Sequence, residues 1–266
     1  MSDWRDKHRK AIDDFLEYIN ESSSDFVLKG GTALLTCYKL DRFSEDVDLD
    51  GLIDIKDIIE NFCDRNGFSF RIAKDTDTVK RHMINYGNTS KPLKVEVSYR
   101  RKEIRPDEVH KINGILVYNI DTLCVMKSAA YSGRDKIRDL YDLAFICNNY
   151  FDTLQPQTQN ILRNAIEYKG IEQFDYIARE QNDELIDTEK LVDDFLKMHD
   201  KLGLLYGADE KKTIAALRTD TRGASLQEHN TDFKERLEDA RKDAQAQNAH
   251  TTKDSNIQQN QSPDIS

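Results

Sequence analysis

The sequence predicts an α+β protein in which a mixed α/β region is followed by an all-helical region. Up to about residue 120, short apolar runs and alternating apolar and polar residues, which indicate strands, are mixed with segments of helical spacing. Beyond that point only helical spacing continues, and from about residue 217 the chain becomes polar. The predicted organisation is an α/β core at 1–120, a helical domain at 121–216 and a polar, largely disordered tail at 217–266.

The elements of the first region alternate between helices and strands. Apolar residues at helical spacing predict helices at 4–20, 32–40 and 55–66. Short apolar or alternating runs predict strands at 25–30, 42–52, 68–73, 80–86 and 93–99. Asn113-Gly114 predicts a hairpin turn within 112–115, because this dipeptide accepts the positive φ angles of a tight turn.

The second region contains only predicted helices, and the tail adds a short charged one. Helical spacing covers 122–132, 135–148, 156–167, 174–179 and 189–205. In the tail, a short charged helix is predicted at 232–246, and the residues after it are mostly Gln, Asn, Ser, Thr and Asp.

Composition excludes several classes of protein. The chain has 266 residues, of which 38% are hydrophobic, so it can close a real core. No run of eighteen apolar residues occurs, and the first residues lack an apolar segment, so neither a membrane span nor a secretory signal is predicted. The four cysteines stand far apart, which argues against a disulfide scaffold or a zinc site and favours reduced thiols in the cytoplasm.

The charge is uneven along the chain. A net charge of −10 opposes non-specific coating of nucleic acid, because the protein would repel the phosphates. Residues 1–170 carry only −2 of this charge, and 91–111 contain seven basic residues against four acidic ones. A local basic surface of this kind is compatible with a specific RNA or nucleotide ligand but does not require one.

The most distinctive candidate site is Asp46-Val47-Asp48. Two carboxylates at i and i+2 on a strand project from one face, so that their oxygens can meet on a hard divalent cation. Asp50 extends the row. The alternative interpretation is an acidic, solvated face of an edge strand.

Two further features strengthen the metal interpretation. Gly30-Gly31 lies between a predicted strand and a predicted helix, where free backbone N–H groups can bind a phosphate. Glu96 lies in the strand at 93–99, on the face opposite the apolar residues. Three carboxylates around two Mg²⁺ ions, beside a phosphate-binding turn, suit phosphoryl or nucleotidyl transfer.

A second group of candidate residues lies in the helical region. Lys127 can bind phosphate as a point charge, and Asp139 and Asp142 are neighbours at i, i+3 on one helix. Two adjacent like charges destabilise a helix unless a cation offsets them. The alternative is an ordinary surface helix on which Arg138 pairs with Asp142 at i, i+4.

Together these motifs resemble a known family. Lys29-Gly-Gly-Thr-Ala-Leu34, the run Arg42-Phe-Ser-Glu-Asp-Val-Asp-Leu49 and the later Lys127…Arg138-Asp139-x-x-Asp142 resemble the AbiEii/AbiGii group of polymerase-β-like nucleotidyltransferases. That group includes the toxins of type IV toxin–antitoxin systems and the related MenT toxins. The resemblance covers about residues 26–146 and implies a polymerase-β-like core with a mixed sheet, followed by helices.

The resemblance also implies roles for residues. Those that would hold metal are Asp46, Asp48 and, less directly, Glu96. Lys127 would contact the nucleotide phosphates, and activity would require Arg138, Asp139 and Asp142.

At the turn, Gly30, Gly31 and Thr32 would bind the nucleotide. The wider superfamily usually has Gly-Ser there, so either the Thr32 hydroxyl or the backbone alone would contact phosphate. Arg42 and Ser44 would either anchor the loop or contact phosphate.

The function implied by the resemblance is a Mg²⁺-dependent toxin that transfers a nucleoside monophosphate from an NTP. Its acceptor would be an RNA, such as a tRNA 3′ end, or a protein, and its partner a cognate antitoxin. Two alternatives stay open: an acceptor that is a small molecule, and an inactive member whose acidic helical half binds a protein.

Overall fold

The structure, a computed structural model, describes residues 4–87, 91–181 and 183–204. The predicted polar tail and the helix at 232–246 lie outside the described residues, as does the end of the predicted helical domain. Within the described residues, no helix is long and apolar enough to cross a membrane.

The centre of the fold is a seven-stranded mixed sheet with the order β3-β4-β5-β2-β1-β7-β6. The β2–β5 and β1–β7 pairs are parallel and the other four pairs are antiparallel. The strands are β1 Phe26–Lys29, β2 Asp46–Gly51, β3 Ser69–Asp75, β4 Val79–Asn85, β5 Leu93–Ser98, β6 Val109–Ile112 and β7 Ile115–Tyr118. The predicted hairpin turn is confirmed between β6 and β7, where Asn113 and Gly114 both have positive φ angles.

Seven α-helices accompany the sheet within the described residues. They are α1 Trp4–Ser22, α2 Gly30–Tyr38, α3 Lys56–Asn66, α4 Ile120–Gly133, α5 Ile137–Tyr150, α6 Pro156–Glu180 and α7 Thr188–Leu202. The side chain of Asn119 caps α4 by accepting a hydrogen bond from the Thr122 N–H, and Asp187 caps α7 in the same way.

One local feature differs from the sequence prediction, and a second refines it. No separate turn joins β1 to its helix, because α2 begins at Gly30 directly after the strand ends at Lys29. The helices predicted at 156–167 and 174–179 lie on either side of Gly170 within α6, where the backbone leaves the helical conformation. Gly170 has a φ of 70°, a left-handed conformation that breaks the helical backbone and suits glycine.

The core lies against one face of the sheet and sets the direction of the catalytic candidates. Val47 and Leu49 of β2 are buried, and Phe15 of α1 meets Phe62 of α3 edge to face at 5.2 Å between ring centroids. Because side chains alternate along a strand, this packing turns Asp46, Asp48 and Asp50 to the opposite face.

The helices after the sheet share their own buried contacts. Phe174 of α6 stacks on Phe195 of α7 with ring centroids 3.9 Å apart, and both side chains are buried. Most of α5 is buried as well, including Tyr141, Leu143, Ala144 and Ile146, which the sequence predicted as core.

Candidate active site

The carboxylates predicted to bind metal lie side by side on neighbouring strands. In the parallel β2–β5 pair, Asp46 is opposite Lys94 and Asp48 is opposite Glu96, so all four side chains share the face away from the core. Lys94 forms a 2.6 Å ion pair with Asp46. Glu96 instead pairs with Arg81 of β4, also at 2.6 Å. The sheet therefore places the three carboxylates on one face of two neighbouring strands, but two of them form ion pairs with cations.

Asp48 differs from its neighbours because its carboxylate has no hydrogen bond or ion pair with any residue that the structure describes. Burial, more than any other influence, raises the pKa of Asp48, and the negative charges of Asp46 and Glu96 raise it further. The positive charges of Lys94 and Lys127 act in the opposite direction. The carboxylate thus lacks a compensating partner, which is the electrostatic condition that a bound cation relieves.

The start of α2 lies directly against this carboxylate. A Cβ atom at Gly30 would be only 2.7 Å from Asp48 Oδ2, and Gly30 has a φ of 76°, so glycine is required there for both space and conformation. Gly31 is equally confined, since a Cβ would lie 2.8 Å from both Arg42 Nη2 and Ser44 Oγ. The two glycines let the helix N-terminus, with its free N–H groups, approach the aspartate row.

These residues suit a divalent cation in part. Asp46 and Asp48 offer adjacent oxygen ligands, the type that Mg²⁺ prefers, and Asp48 is uncompensated. Among the described residues, however, no group of three His, Cys, Asp or Glu side chains is arranged to hold a metal. Glu96 would have to leave Arg81 to join the pair, so its role as a third ligand stays a prediction.

Thr32 and Ser44 occupy buried positions behind the glycines. The Thr32 hydroxyl donates a hydrogen bond to the carbonyl oxygen of Asp46, and its oxygen lies 3.0 Å from Ser44 Oγ. Both side chains are buried. In this arrangement their hydroxyl groups hold α2 to the start of β2, and a contact of Thr32 or of the glycine backbone with phosphate stays a prediction.

Arg42 lies in a buried ion pair that spans a hundred residues of sequence. Its Nε and Nη2 atoms donate two 2.8 Å hydrogen bonds to the two oxygens of Asp142, and both side chains are almost fully buried. Of the two roles that the sequence left open for Arg42, this contact is the anchoring one. The bidentate geometry fixes the loop before β2 to α5.

The helical candidates form one cluster around Lys127. Lys127 Nζ is 2.5 Å from Asp142 Oδ2 and 3.3 Å from Asp139 Oδ1, and Arg134 also donates to Asp139. The cations lower the pKa of Asp139 despite the opposing effect of its burial. The charge repulsion between Asp139 and Asp142 is thereby offset, and a surface pairing of Arg138 with Asp142 is not what forms.

Arg138 faces a different set of carboxylates from the one the spacing suggested. Its Nε is 2.5 Å from Asp183 and its Nη1 is 3.1 Å from Glu45. The Glu45 contact connects α5 to the segment just before Asp46, and the Asp183 contact connects it to the segment between α6 and α7. A role for Arg138 in nucleotide binding stays a prediction.

At the site, the sequence interpretation was wrong about Asp50 and missed Lys94. Asp50 does not extend the metal row, because it accepts hydrogen bonds from Lys29 and from the Tyr118 hydroxyl. Lys94 was missed, although its alternation with Leu93 and Val95 already placed it on the face of Glu96. Nothing in the sequence alone indicated that Lys94 would face Asp46.

The family is decided by a match that covers most of the chain. The family model described as nucleotidyl transferase AbiEii toxin of type IV toxin–antitoxin systems matches residues 14–252. The chain belongs to the AbiEii family. Family membership identifies the protein as an enzyme, a nucleotidyltransferase, and as a toxin, and it implies an NTP substrate and an antitoxin partner.

Three solved structures are similar to this chain to different degrees. JHP933 from Helicobacter pylori is 27% identical, with a TM-score of 0.63 over 82% of this chain and 99% of that one. A protein from H. pylori described as a candidate nucleotidyltransferase is 28% identical, with a TM-score of 0.62 over 78% of this chain and 100% of that one. MenT4, a nucleotidyltransferase toxin from Mycobacterium tuberculosis, is 17% identical, with a TM-score of 0.46 over 76% of this chain and 85% of that one. No curated protein matches the chain.

Proposed function

We propose that this AbiEii protein transfers a nucleoside monophosphate from an NTP to an RNA acceptor, such as a tRNA 3′ end, with Mg²⁺ held by Asp46 and Asp48. The observation that carries the proposal is the Asp48 carboxylate, which has no partner among the described residues and lies against the N-terminus of α2. A divalent cation that also binds phosphate would best stabilise the charged form of a carboxylate in this position.

The nucleotide would lie between the start of α2 and the Lys127 cluster. The backbone N–H groups of Gly30 and Gly31 point out of the helix end and suit phosphate oxygens. Lys127, which is 12% exposed, can exchange one of its two carboxylate contacts for a phosphate. Asp139 and Asp142 keep this lysine in place, and Arg42 positions Asp142.

In the reaction, the acceptor hydroxyl loses its proton to water, and its oxygen forms a bond to the α-phosphorus of the NTP. The bond from that phosphorus to the β-phosphate breaks, and pyrophosphate leaves. Mg²⁺ bound at the aspartates would supply neutralisation of the triphosphate charge and a lower pKa for the attacking hydroxyl. The N-terminus of α2 and Lys127 would offset the charge that develops on the departing phosphates.

Separate observations support the acceptor and the cellular setting. RNA is supported by the resemblance to the toxin group and by the local excess of basic residues at 91–111. A cytoplasmic location is supported by the four separate cysteines, all free in this structure. The antitoxin that the family implies would be the protein partner.

The test is incorporation of label from four α-³²P-labelled NTPs into total RNA, total protein and a panel of small hydroxyl compounds. We expect label in RNA, in the presence of Mg²⁺ and not after EDTA treatment. Asp48→Asn should abolish incorporation, whereas Asp64→Asn, a change of the same kind at an exposed site on α3, should not.

Each other result has a definite meaning. Label in protein or in a small molecule would replace RNA as the acceptor while keeping the chemistry. Incorporation that survives Asp48→Asn would overturn the assignment of the metal site. Wild-type protein that labels nothing would overturn the proposed activity.

A further inference from the structure

An uncovered face of the sheet continues outward from the catalytic carboxylates. Strand register aligns two rows of side chains on this face, across β2, β5, β4 and β3. The first row is Asp46, Lys94, Met83 and Arg71, and the second is Asp48, Glu96, Arg81 and Lys74. Each row spans three inter-strand spacings, or about 14 Å.

Charge changes along the rows from negative to positive. At the inner end, the carboxylates of Asp46 and Glu96 pair with Lys94 and Arg81, so this part is close to neutral apart from Asp48. At the outer end, Arg71 and Lys74 are exposed and have no hydrogen bond or ion pair with any described residue. We call Arg71, Lys74, Arg81 and Lys94 the basic sheet face.

Protection of an edge strand explains only part of this pattern. Charged residues on an edge strand such as β3 prevent pairing with another sheet. Arg81 and Lys94, however, lie on β4 and β5, which have neighbours on both sides. Their charges on the uncovered face, each more than a quarter exposed, protect no edge.

We propose that the basic sheet face binds the single-stranded end of the nucleic-acid acceptor and leads its terminal hydroxyl to Asp46 and Asp48. The distribution of charge fits such an end: the last nucleotide presents a hydroxyl to the carboxylates, and the phosphates before it lie over the cations at β3 and β4. Exposed Arg and Lys side chains bind phosphates without regard to sequence, and the Met83 side chain between them offers an apolar surface to a base. The inference rests on the proposed function, because it assumes an RNA acceptor.

The experiment compares wild-type protein with Arg71→Glu/Lys74→Glu and with a control, Lys7→Glu/Lys197→Glu. The control makes the same change of charge at two exposed helical lysines on α1 and α7. The readouts are the Kd for a single-stranded RNA oligonucleotide labelled at its 5′ end, the salt dependence of that Kd, the acceptor KM for total tRNA, and the Kd for NTP.

We expect the Arg71/Lys74 variant to bind the oligonucleotide about tenfold or more weakly and to show an equally raised acceptor KM. The slope of log K against log salt should become shallower by about 1.4, because each phosphate contact on a single strand contributes about 0.7. The NTP affinity should not change, and the control should behave as wild type. Arg71→Gln/Lys74→Gln should give a smaller loss in the same direction, which separates contact with phosphate from an effect of the new glutamates.

The outcomes separate the surface from the proposed function. If the wild type binds RNA but transfers nothing to it, and the Arg71/Lys74 variant no longer binds RNA, the result would support the binding surface and overturn the proposed function. Transfer to tRNA with an unchanged acceptor KM in the variant would overturn the surface alone. Loss of affinity for the cognate antitoxin with unchanged RNA binding would also overturn it, because the face would then be a protein-docking site.

Discussion

At the scale of single residues, Asp48 is a candidate metal ligand whose charge destabilises the fold. Its carboxylate is held against the helix N-terminus and between two other acidic residues, and burial raises its pKa. A group whose pKa is raised in the folded state destabilises the fold when it is ionised. The site therefore keeps a carboxylate that the fold alone does not favour.

We predict that Asp48→Asn increases the free energy of unfolding at pH 7 while it abolishes nucleotide transfer. The amide has nearly the same shape but carries no charge to desolvate, and the repulsion from Asp46 and Glu96 disappears. Urea denaturation of the two proteins measures the difference, and the gain should vanish at a pH low enough to protonate Asp48. A destabilised Asp48→Asn protein would show that an interaction of the carboxylate supports the fold.

Arg42 and Asp142 form the second residue-scale feature, a buried pair with ideal geometry. We predict that Arg42→Met destabilises the protein by about 3–5 kcal/mol, because it leaves a buried charge without one of its partners. Arg42→Lys should recover only part of this loss, since lysine cannot donate the two parallel hydrogen bonds.

A double-mutant cycle with Asp142→Leu checks the Arg42–Asp142 pair. The two single changes should be non-additive by about 0.5–3 kcal/mol in the free energy of unfolding, as expected for residues in direct contact. Additive effects would mean that the two side chains act independently and that Arg42 does not position Asp142.

At the scale of elements, short connections between strands and helices fix the positions of the candidate site residues. β1 ends at Lys29 and α2 begins at Gly30, so the helix N-terminus cannot move away from the sheet. Strand alternation in β2 and β5 then decides which side chains face it.

Helix α7 illustrates a different constraint, because its buried face includes a titratable residue, His199.

Because His199 is buried in α7, we predict that the free energy of unfolding depends on pH. Burial lowers the pKa of His199 to about 4, and its ring lies 4.0 Å from that of Phe195. The unfolded chain binds a proton at His199 near pH 6.5, whereas the folded chain binds it only near pH 4. The free energy of unfolding therefore has its full value above about pH 6.5 and falls as the pH drops toward 4. The loss should be about 3 kcal/mol in all.

Denaturation midpoints at pH 7 and pH 4.5 measure this effect, with His199→Phe as the matched variant. The phenylalanine variant should lose less stability between the two pH values than wild type does. Equal losses in the two proteins would mean that other groups cause the acid destabilisation.

At the scale of the whole molecule, the candidate site combines residues from both predicted domains. Asp48 and Gly30 come from β2 and α2 of the first region, whereas Lys127 and Asp142 come from α4 and α5 of the second. Arg42–Asp142 and the hydrogen bond from the Tyr141 hydroxyl to Asp41 connect the two parts. The boundary at 120/121 stays a prediction, but the site as proposed requires both sides of it.

We predict that Lys127→Ala weakens NTP binding by about 1.5–3 kcal/mol, the value of a hydrogen bond to a charged group. The fold should survive, because Arg134 and Arg42 still compensate Asp139 and Asp142. Isothermal titration with a non-hydrolysable NTP analogue measures the change, and Lys136→Ala, an exposed lysine nearby, is the control. Unchanged NTP affinity in Lys127→Ala would mean that the helical part does not contact the nucleotide.

The sequence by itself determined the features that depend on near neighbours. Alternation along the chain placed Asp46 and Asp48 on one strand face, and Asn113-Gly114 marked a hairpin. The glycine pair at 30–31 marked the change from a strand to a helix, although the helix begins at Gly30 itself and not after a turn. With the resemblance to the AbiEii/AbiGii group, these motifs were enough to predict the fold class and the family. Local stereochemistry carries this information, so it can be read without the fold.

Only the tertiary structure decided which charges meet. Strand order and helix packing decide three pairings: Arg42 with Asp142 rather than with a phosphate, Lys94 with Asp46, and Arg81 with Glu96. A side chain's partner is set by whichever elements become neighbours, and several basic residues in the chain could have served each carboxylate equally well. Strand register also aligned the basic sheet face, because β3, β4 and β5 are joined to β2 by pairings that no local pattern specifies.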